Sequence, residues 1–201
     1  MRIIVIGATG TIGKAVVEAL RGKHEVVQVG HRGGDYQVDL ADKGSIERMY
    51  ESAAPFDAVV SAAGLAKFGA LDGLSDADFQ FSLSNKLMGQ VNLVRVGMAQ
   101  IRDGGSFTLT SGVLSQEPTR GSSAISLVNG GLEAFARAAA LELPRGVRIN
   151  VISPPWVSET LEAMGRDVDA GMPAAQVARA YLESVEGSEN GEVLDARAYA
   201  Y

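Results

Sequence analysis

Residues 2–13 read RIIVIGATGTIG, and this stretch decides the fold. Its first part, Arg2–Ile6, is apolar and mostly β-branched, which predicts a strand buried in a parallel sheet. Glycines follow at Gly7, Gly10 and Gly13, and apolar residues then recur at helical spacing as far as Leu20. The order of strand, glycine-rich turn and helix is typical of the first unit of a dinucleotide-binding fold.

Each glycine of the turn has a physical reason to be glycine. Gly7 permits a sharp turn, Gly10 allows the backbone to approach a diphosphate, and Gly13 allows helix and strand to pack closely. The helix start then offers free N–H groups to phosphate oxygens. We therefore expect the turn to bind a dinucleotide through these glycines and the residues between and beside them, Thr9, Thr11 and Ile12. The alternative is a tight turn without a ligand.

Strands and helices alternate along the rest of the chain, as in a series of βαβ units. We predict further strands at 25–29, 36–38, 58–60, 106–110, 147–152 and 191–194, and further helices at 45–52, 84–102, 124–143 and 173–184. No linker, repeat or low-complexity stretch interrupts them. The sequence therefore predicts an α/β chain with one NAD(P)-binding Rossmann domain over residues 1–201. Its doubly wound, mostly parallel sheet has about seven strands, with helices on both faces.

Composition excludes several classes of protein. The chain has 201 residues, 18 basic and 24 acidic side chains and a net charge of −6, which disfavours nucleic acid and anionic membranes as partners. It has no cysteine, and its two histidines, His24 and His31, form no convincing metal cluster, so we expect no metal site. No apolar run approaches the roughly 20 residues of a membrane helix, and no signal peptide is recognisable. We expect a cytoplasmic protein.

The end of the second predicted strand bears on which dinucleotide binds. An NAD-binding chain normally has an acidic residue here, but the residues are Val29-Gly30-His31-Arg32, with no acid before Asp35. Arg32, with His31, suits a 2′-phosphate and favours NADP(H); the alternative is a solvated surface arginine. Asp39, followed by Leu40, either accepts a hydrogen bond from the adenine amino group or caps the strand end.

Four further motifs carry a family resemblance. Ser61–Gly64 resembles an Asn-Asn-Ala-Gly turn, Lys86–Gly89 an Asn-Leu-x-Gly helix start, Thr108–Gly112 a strand ending in a catalytic serine, and Arg148–Pro154 an Arg-Val-Asn-x-Ile-x-Pro segment. In this order, over nearly the whole chain, they resemble the short-chain dehydrogenase/reductase family. The resemblance implies hydride transfer between a nicotinamide and a small carbonyl or alcohol. It also implies cofactor contacts at Ala62, Ala63, Gly64, Pro154, Val157 and Thr160.

The chain departs from the family where the family has its catalytic Tyr-x-x-x-Lys motif. Aligning the helix on Leu132 and Phe135 places Ile125 at the tyrosine and Asn129 at the lysine. Lys86, in turn, stands where the family has an asparagine. The resemblance therefore implies an exchanged pair, with Lys86, Asn129 and Ser111 as the catalytic candidates and Lys86 as the acid or electrostatic anchor. The alternative places Lys86 on a helix surface and Ser111 at a strand end.

Two function classes follow. The first is an NADP(H)-dependent oxidoreductase with a modified proton relay, and the second is a catalytically silent NADP(H)-binding sensor or partner-binding protein. The predicted helices 84–102 and 124–143 are apolar on more than one face. In the resembling family these helices form a four-helix interface, so we expect a homodimer or homotetramer. The segment 158–171 is a short candidate lid.

Overall fold

A computed structural model describes residues 1–200 as one sheet with helices on both faces. The strands are β1 (Arg2–Ile6), β2 (Glu25–Gly30), β3 (Tyr36–Gln37), β4 (Phe56–Ser61), β5 (Ile101–Thr110), β6 (Arg148–Ser153) and β7 (Val193–Asp195). They lie in the order β3-β2-β1-β4-β5-β6-β7, and every pairing is parallel. The predicted doubly wound α/β fold is confirmed, and the sheet is entirely rather than mostly parallel.

The helices cover the two faces of this sheet. They are α1 (Thr11–Arg21), α2 (Lys43–Ala53), α3 (Asp76–Ser82), α4 (Gly89–Gly97), α5 (Ser123–Ala139), α6 (Ser158–Ala163) and α7 (Ala174–Glu186), with a π-helical segment, Leu83–Met88, between α3 and α4. Because side chains alternate along a strand, Ile4 and Ile6 of β1 pack beneath α2, α4 and α5, while Ile3 and Val5 pack beneath α1 and α7.

The helix predicted over 84–102 was wrong at its end. Helical structure runs from Asp76 to Gly97, and Ile101 and Arg102 belong to β5. Ile101 pairs with Phe56 of β4 and is buried there, so tertiary pairing overrides the apolar pattern that continued from the helix. The helix predicted over 124–143 ends early, at Ala139. Leu143 precedes Pro144, and a residue before proline disfavours helical backbone.

The topology brings the functional candidates to one edge of the sheet. The order of the strands reverses between β1 and β4, and ligands in such sheets bind in the crevice beyond the carboxyl ends of the strands at this point. The glycine turn follows β1, Ala62–Gly64 follow β4, Ser111 follows β5 and Pro154 follows β6. Four segments far apart in sequence therefore meet in one crevice.

Candidate functional site

The glycine turn is held so tightly that two of its glycines have no room for a side chain. Gly7 has a positive φ of +81°, and a Cβ placed on it would lie 2.7 Å from the Ala62 carbonyl oxygen. A Cβ on Gly13 would lie 1.9 Å from the Gly7 carbonyl oxygen. Gly10 precedes the first turn of α1, and no side chain caps this end. The first N–H groups of α1 thus remain available to an acceptor from outside the helix.

A cavity of about 580 Å³ opens in front of this turn. It brings together many of the predicted cofactor contacts, namely Gly7, Thr9, Gly10, His31, Asp39, Leu40, Ala62, Ala63 and Gly64. Asn85, which sequence reasoning missed, also borders it, and its Oδ1 accepts from the Leu65 N–H at 2.7 Å. We call this space the turn cavity. It is lined by backbone and small side chains on the side of the glycines.

Seven predicted cofactor contacts lie outside the lining of the turn cavity, and four of them border a second cavity, namely Ile12, Pro154, Val157 and Thr160. The other three line neither cavity. Thr11 is exposed at the start of α1, and Gly13 is buried between α1 and the turn. Arg32 is exposed beside His31 and forms no hydrogen bond or ion pair with residues 1–200. Arg32 therefore follows a residue that lines the turn cavity, and it is itself exposed to solvent.

The acidic residues near the rim are engaged by the backbone. Asp35 Oδ2 accepts from the Gln28 N–H at 2.8 Å, and the Asp35 N–H donates to the Gln28 carbonyl at 2.7 Å. Asp39 Oδ1 accepts from the Ala41 N–H at 2.9 Å, so this carboxylate shapes the chain after β3 while bordering the turn cavity. Asp35 is therefore committed to closing the loop after β2.

A second cavity, of about 270 Å³, shares Ala62, Ala63 and Gly64 with the turn cavity. It brings together all three catalytic candidates, Lys86, Ser111 and Asn129, and the predicted cofactor contacts Ile12, Pro154, Val157 and Thr160. Ile125, which the sequence alignment predicts at the position of the family tyrosine, borders it too. We call this space the reaction cavity. The two cavities form neighbouring parts of one cleft.

Lys86 lies in the π-helical segment, a local geometry that is frequent at functional sites. Its side chain packs against Gly64, and its Nζ donates to the Ser111 carbonyl oxygen at 3.0 Å. Only 8% of the residue is exposed, and no carboxylate within residues 1–200 pairs with the ammonium. Burial therefore lowers the pKa of Lys86 to about 8. The structure places this lysine in the cleft and not on a helix surface.

Asn129 faces the same segment from α5. Its Nδ2 donates to the Gly112 carbonyl oxygen at 3.2 Å, which fixes the orientation of the amide. Its Oδ1 is buried and has no hydrogen-bond partner within residues 1–200. A buried acceptor without a donor is costly, so Asn129 Oδ1 marks a place where a ligand donor would be favourable.

Ser111 is held by a residue that sequence reasoning missed. Its Oγ donates to Glu133 Oε1 at 3.0 Å, and Ser115 Oγ donates to the same oxygen at 2.6 Å. Glu133 is only 5% exposed. It lies four residues after Asn129 on α5, so both side chains share one helix face. A charged residue in this apolar stretch was the available signal.

A second missed residue, Gln90, fixes the end of β5. It is fully buried on α4, its Oε1 accepts from the Thr110 N–H at 2.9 Å, and its Nε2 donates to the Thr110 carbonyl at 3.0 Å. The amide thus satisfies both backbone groups of Thr110, which no neighbouring strand satisfies. Gln90 is four residues after Lys86. One helical stretch therefore supplies both the ammonium in the cavity and the amide that bonds to the end of β5.

The predicted lid region, 158–171, contains the short helix α6 and a single 3-10 turn. Trp156 precedes it and borders the reaction cavity, with the Phe68 ring 6.5 Å away and the Arg166 guanidinium 5.2 Å from its own ring. The carboxylate of Glu159 accepts from the Ala174 N–H at 3.0 Å and connects α6 to α7. These contacts place an aromatic wall at the mouth of the cavity.

Two features are absent from residues 1–200. No three His, Asp or Glu side chains there come together as a metal site. None of the helices described is both long and apolar enough to cross a membrane.

Known proteins resemble this chain over most of its length. A family model described as enoyl-(acyl carrier protein) reductase matches residues 5–194. The 2,3-dihydro-2,3-dihydroxybenzoate dehydrogenase of Escherichia coli K12 is 30% identical over 164 residues, which cover 71% of this chain and 66% of that protein. The chain therefore spans just under two thirds of the length of that relative.

Solved structures match over a greater length. The protein lin1944 from Listeria innocua is 42% identical, with a TM-score of 0.94 over 97% of this chain and 98% of that one. A small-chain dehydrogenase in complex with NADPH is 25% identical, with a TM-score of 0.87 over 100% of this chain and 99% of that one.

Proposed function

This chain belongs to the short-chain dehydrogenase/reductase family, and we propose that it is an NADP(H)-dependent oxidoreductase acting on a small carbonyl or alcohol. One observation carries the proposal: the turn cavity and the reaction cavity adjoin at Ala62–Gly64, and the reaction cavity holds the buried amine of Lys86. A dinucleotide lying along the cleft would have its phosphates at the glycine turn and its nicotinamide at the reaction cavity.

The residues of the cleft fit such a cofactor. The crowding around Gly7 and Gly13 and the uncapped start of α1 form a backbone cradle for a diphosphate. Pro154, Val157 and Thr160 border the far end, where the nicotinamide would lie. When bound, the cofactor supplies or accepts the hydride. All other steps of the reaction fall to the side chains of this chain.

Selectivity for NADP(H) rests on the rim. Arg32 is exposed and uncommitted within residues 1–200, while the nearest acid, Asp35, is engaged by the Gln28 N–H. A ribose 2′-hydroxyl would find no free carboxylate on this loop, whereas a 2′-phosphate would find a guanidinium. The related structure that contains NADPH supports the same preference.

Proton transfer in this proposal depends on Lys86 instead of a tyrosine. A pKa of about 8 leaves both protonation states accessible near neutral pH, as a general acid or base requires. Ser111 holds the substrate oxygen, and Asn129 occupies the place of the family lysine. The exchanged amine and amide, Lys86 and Asn129, both bond to the Ser111–Gly112 backbone and therefore face the same small space.

The substrate is a small molecule with an apolar body. Ile125, Trp156 and Val157 provide apolar walls, and the polar groups are concentrated around Ser111. The substrate named for the Escherichia coli relative is a small ring with two hydroxyl groups and a carboxylate, so it shares the hydroxyl groups of this class and not its uncharged body.

The experiment is a panel of small ketones, aldehydes and alcohols, with NADPH or NADP⁺ followed at 340 nm. We expect turnover by the wild type, and we expect Lys86→Met and Ser111→Ala to reduce it by a factor on the order of 100 or more. Glu142→Gln, an exposed site beyond the end of α5, serves as the control. If both variants turned over substrate as fast as the wild type, neither Lys86 nor Ser111 would take part in the chemistry.

The second candidate, a catalytically silent NADP(H)-binding sensor or partner-binding protein, is favoured by Ile125. An alkyl group cannot donate the proton that the family tyrosine provides. This candidate predicts tight NADPH binding with no turnover on any member of the panel.

We also propose a homodimer or homotetramer, in a cytoplasmic setting, formed through the helical regions predicted at 84–102 and 124–143. In the structure these regions expose Met88 and Leu127, the latter by 52%. Closed two-fold contacts place the same face of both copies together, so a charge at Leu127 would meet its own copy. Leu127→Glu is expected to give monomers in sedimentation velocity, whereas Leu71→Glu, at a position that is 69% exposed and outside both regions, is expected to leave the assembly intact.

A further inference from the structure

The serine at the reaction cavity has only one proton to donate, and the structure shows where it goes. Ser111 Oγ lies 3.0 Å from Glu133 Oε1 and 3.4 Å from the Ile152 carbonyl oxygen. Both neighbours are acceptors, and the carboxylate is the closer and the charged one, so the hydroxyl donates to Glu133. No group within residues 1–200 donates to Ser111 Oγ. The Ser111 hydroxyl therefore offers a ligand only its lone pairs, because its proton is directed at Glu133.

Glu133 is fixed in this role by its other contacts. Ser115 Oγ donates to the same carboxylate oxygen at 2.6 Å, and Arg137 Nη2 lies 4.0 Å from the other oxygen at the surface. The carboxylate thus receives two hydroxyl protons and one nearby positive charge. If the Ser111 hydroxyl turned its proton toward the cavity, it would lose its charge-assisted hydrogen bond to the Glu133 carboxylate.

The remaining polar groups of the cavity complete the pattern. Asn129 Oδ1 is a second acceptor without a donor, because its Nδ2 is committed to the Gly112 carbonyl. Lys86 is the donor, with one N–H on the Ser111 carbonyl and two further N–H groups on its ammonium. A ligand hydroxyl can donate to an acceptor and accept from the ammonium at once. A ketone can only accept.

We infer that Glu133 is a positioning residue that turns Ser111 into a hydrogen-bond acceptor, so that the reaction cavity recognises the alcohol form of its substrate in preference to the carbonyl form. The inference rests on the proposed function in taking the reaction cavity as the substrate site. It adds a residue, Glu133, and a substrate class, alcohols with an apolar body.

The test measures binding and needs no turnover. Trp156 is the only tryptophan of the chain and borders the reaction cavity, so its fluorescence reports entry of a ligand. Cyclohexanol and cyclohexanone are titrated into the protein alone and into the protein with NADP⁺. We expect the wild type to bind the alcohol about fivefold more tightly than the ketone, the size of one net hydrogen bond.

Four variants separate positioning from simple structural support. Glu133→Gln offers Ser111 an N–H and so lets its proton turn toward the cavity; the alcohol preference is expected to vanish or reverse. Glu133→Asp keeps a carboxylate and is expected to restore the preference. Ser111→Ala removes the serine acceptor, keeps the Glu133 side chain and leaves Asn129 Oδ1, so it should weaken the preference even if Glu133→Gln does not fold. Glu142→Gln is the matched control and should leave it unchanged.

The outcomes distinguish this inference from the proposed function. An unchanged preference in both Glu133→Gln and Ser111→Ala contradicts the inference even if the protein turns over substrate. The inference is also contradicted if the wild type binds the ketone as tightly as the alcohol, or if it binds neither of the two. A preference that depends on Glu133 in a protein with no turnover supports the inference while the proposed enzyme activity fails.

Discussion

The two ends of the cleft are built in different ways. The glycine side of the turn cavity is formed by backbone, and the turn is held by Gly7 and Gly13, which pack against carbonyl oxygens at distances that exclude a side chain. The reaction cavity is formed by side chains that bond to one another and to the Ser111–Gly112 backbone. Backbone binding tolerates no substitution at its glycines, whereas a side-chain site can exchange an amine and an amide between two helices. Under the proposed function, this difference explains how the chain keeps a regular turn while Ile125 takes the position aligned with the family tyrosine.

The largest expected loss of cofactor affinity comes from a substitution in the glycine turn. Gly13→Ala introduces a Cβ that must move the Gly7 backbone. Such overpacking lowers the free energy of unfolding by about 3 kcal/mol, and the displaced turn no longer presents its N–H groups to the diphosphate. We expect NADPH affinity to fall by roughly a hundredfold, measured by calorimetry. Gly22→Ala is the control, because a Cβ there meets nothing within 4 Å. Equal affinities in the two variants would mean that the turn does not cradle the cofactor.

A smaller effect is expected at the rim of the turn cavity. Arg32→Ala removes the guanidinium proposed for the 2′-phosphate, and NADPH affinity should fall by about tenfold, the loss of one charge-assisted contact. NADH affinity should remain the same. Arg179→Ala, an exposed arginine on α7, removes the same charge far from the cleft and should change neither affinity. A parallel fall for both nucleotides would rule out recognition of the 2′-phosphate.

An effect on stability, instead of on affinity, sharpens the comparison at the reaction cavity. Lys86 releases its proton near pH 8 in the folded chain and near its ordinary pKa of 10.5 in the unfolded chain. Between these values the unfolded state holds more protons, so the contribution of Lys86 makes the free energy of unfolding rise with pH. Urea unfolding of the wild type and Lys86→Met should therefore show the wild type gaining stability relative to the variant from about pH 8 to 10.5. A difference in the free energy of unfolding between the two proteins that stays constant over this pH range would mean that the Lys86 ammonium is solvated.

The comparison also explains what the sequence could predict. The strand, turn and helix of residues 2–21 are defined by neighbours in sequence, so their periods and glycine spacing indicated them directly. The same applies to the alternation that predicted a parallel, doubly wound sheet. The expected meeting of Lys86, Ser111 and Asn129 in one cavity came from the family resemblance, which supplied contacts between distant segments.

The parts that sequence reasoning missed depend on contacts across long separations. Glu133 and Ser111 are 22 residues apart, and nothing local to either marks the bond. Gln90 clamps Thr110 because β5 ends beside α4. The error at Ile101 has the same origin, since pairing with Phe56 decides its structure. Apolar periodicity cannot distinguish a helix end from the start of a buried strand.

The most direct test of the account is a calorimetric titration of the wild type with NADPH and with NADH. We predict saturable binding of both at one site per chain, with NADPH the tighter ligand by about tenfold. No heat with either nucleotide at millimolar concentration, together with no change in melting temperature, would contradict the account.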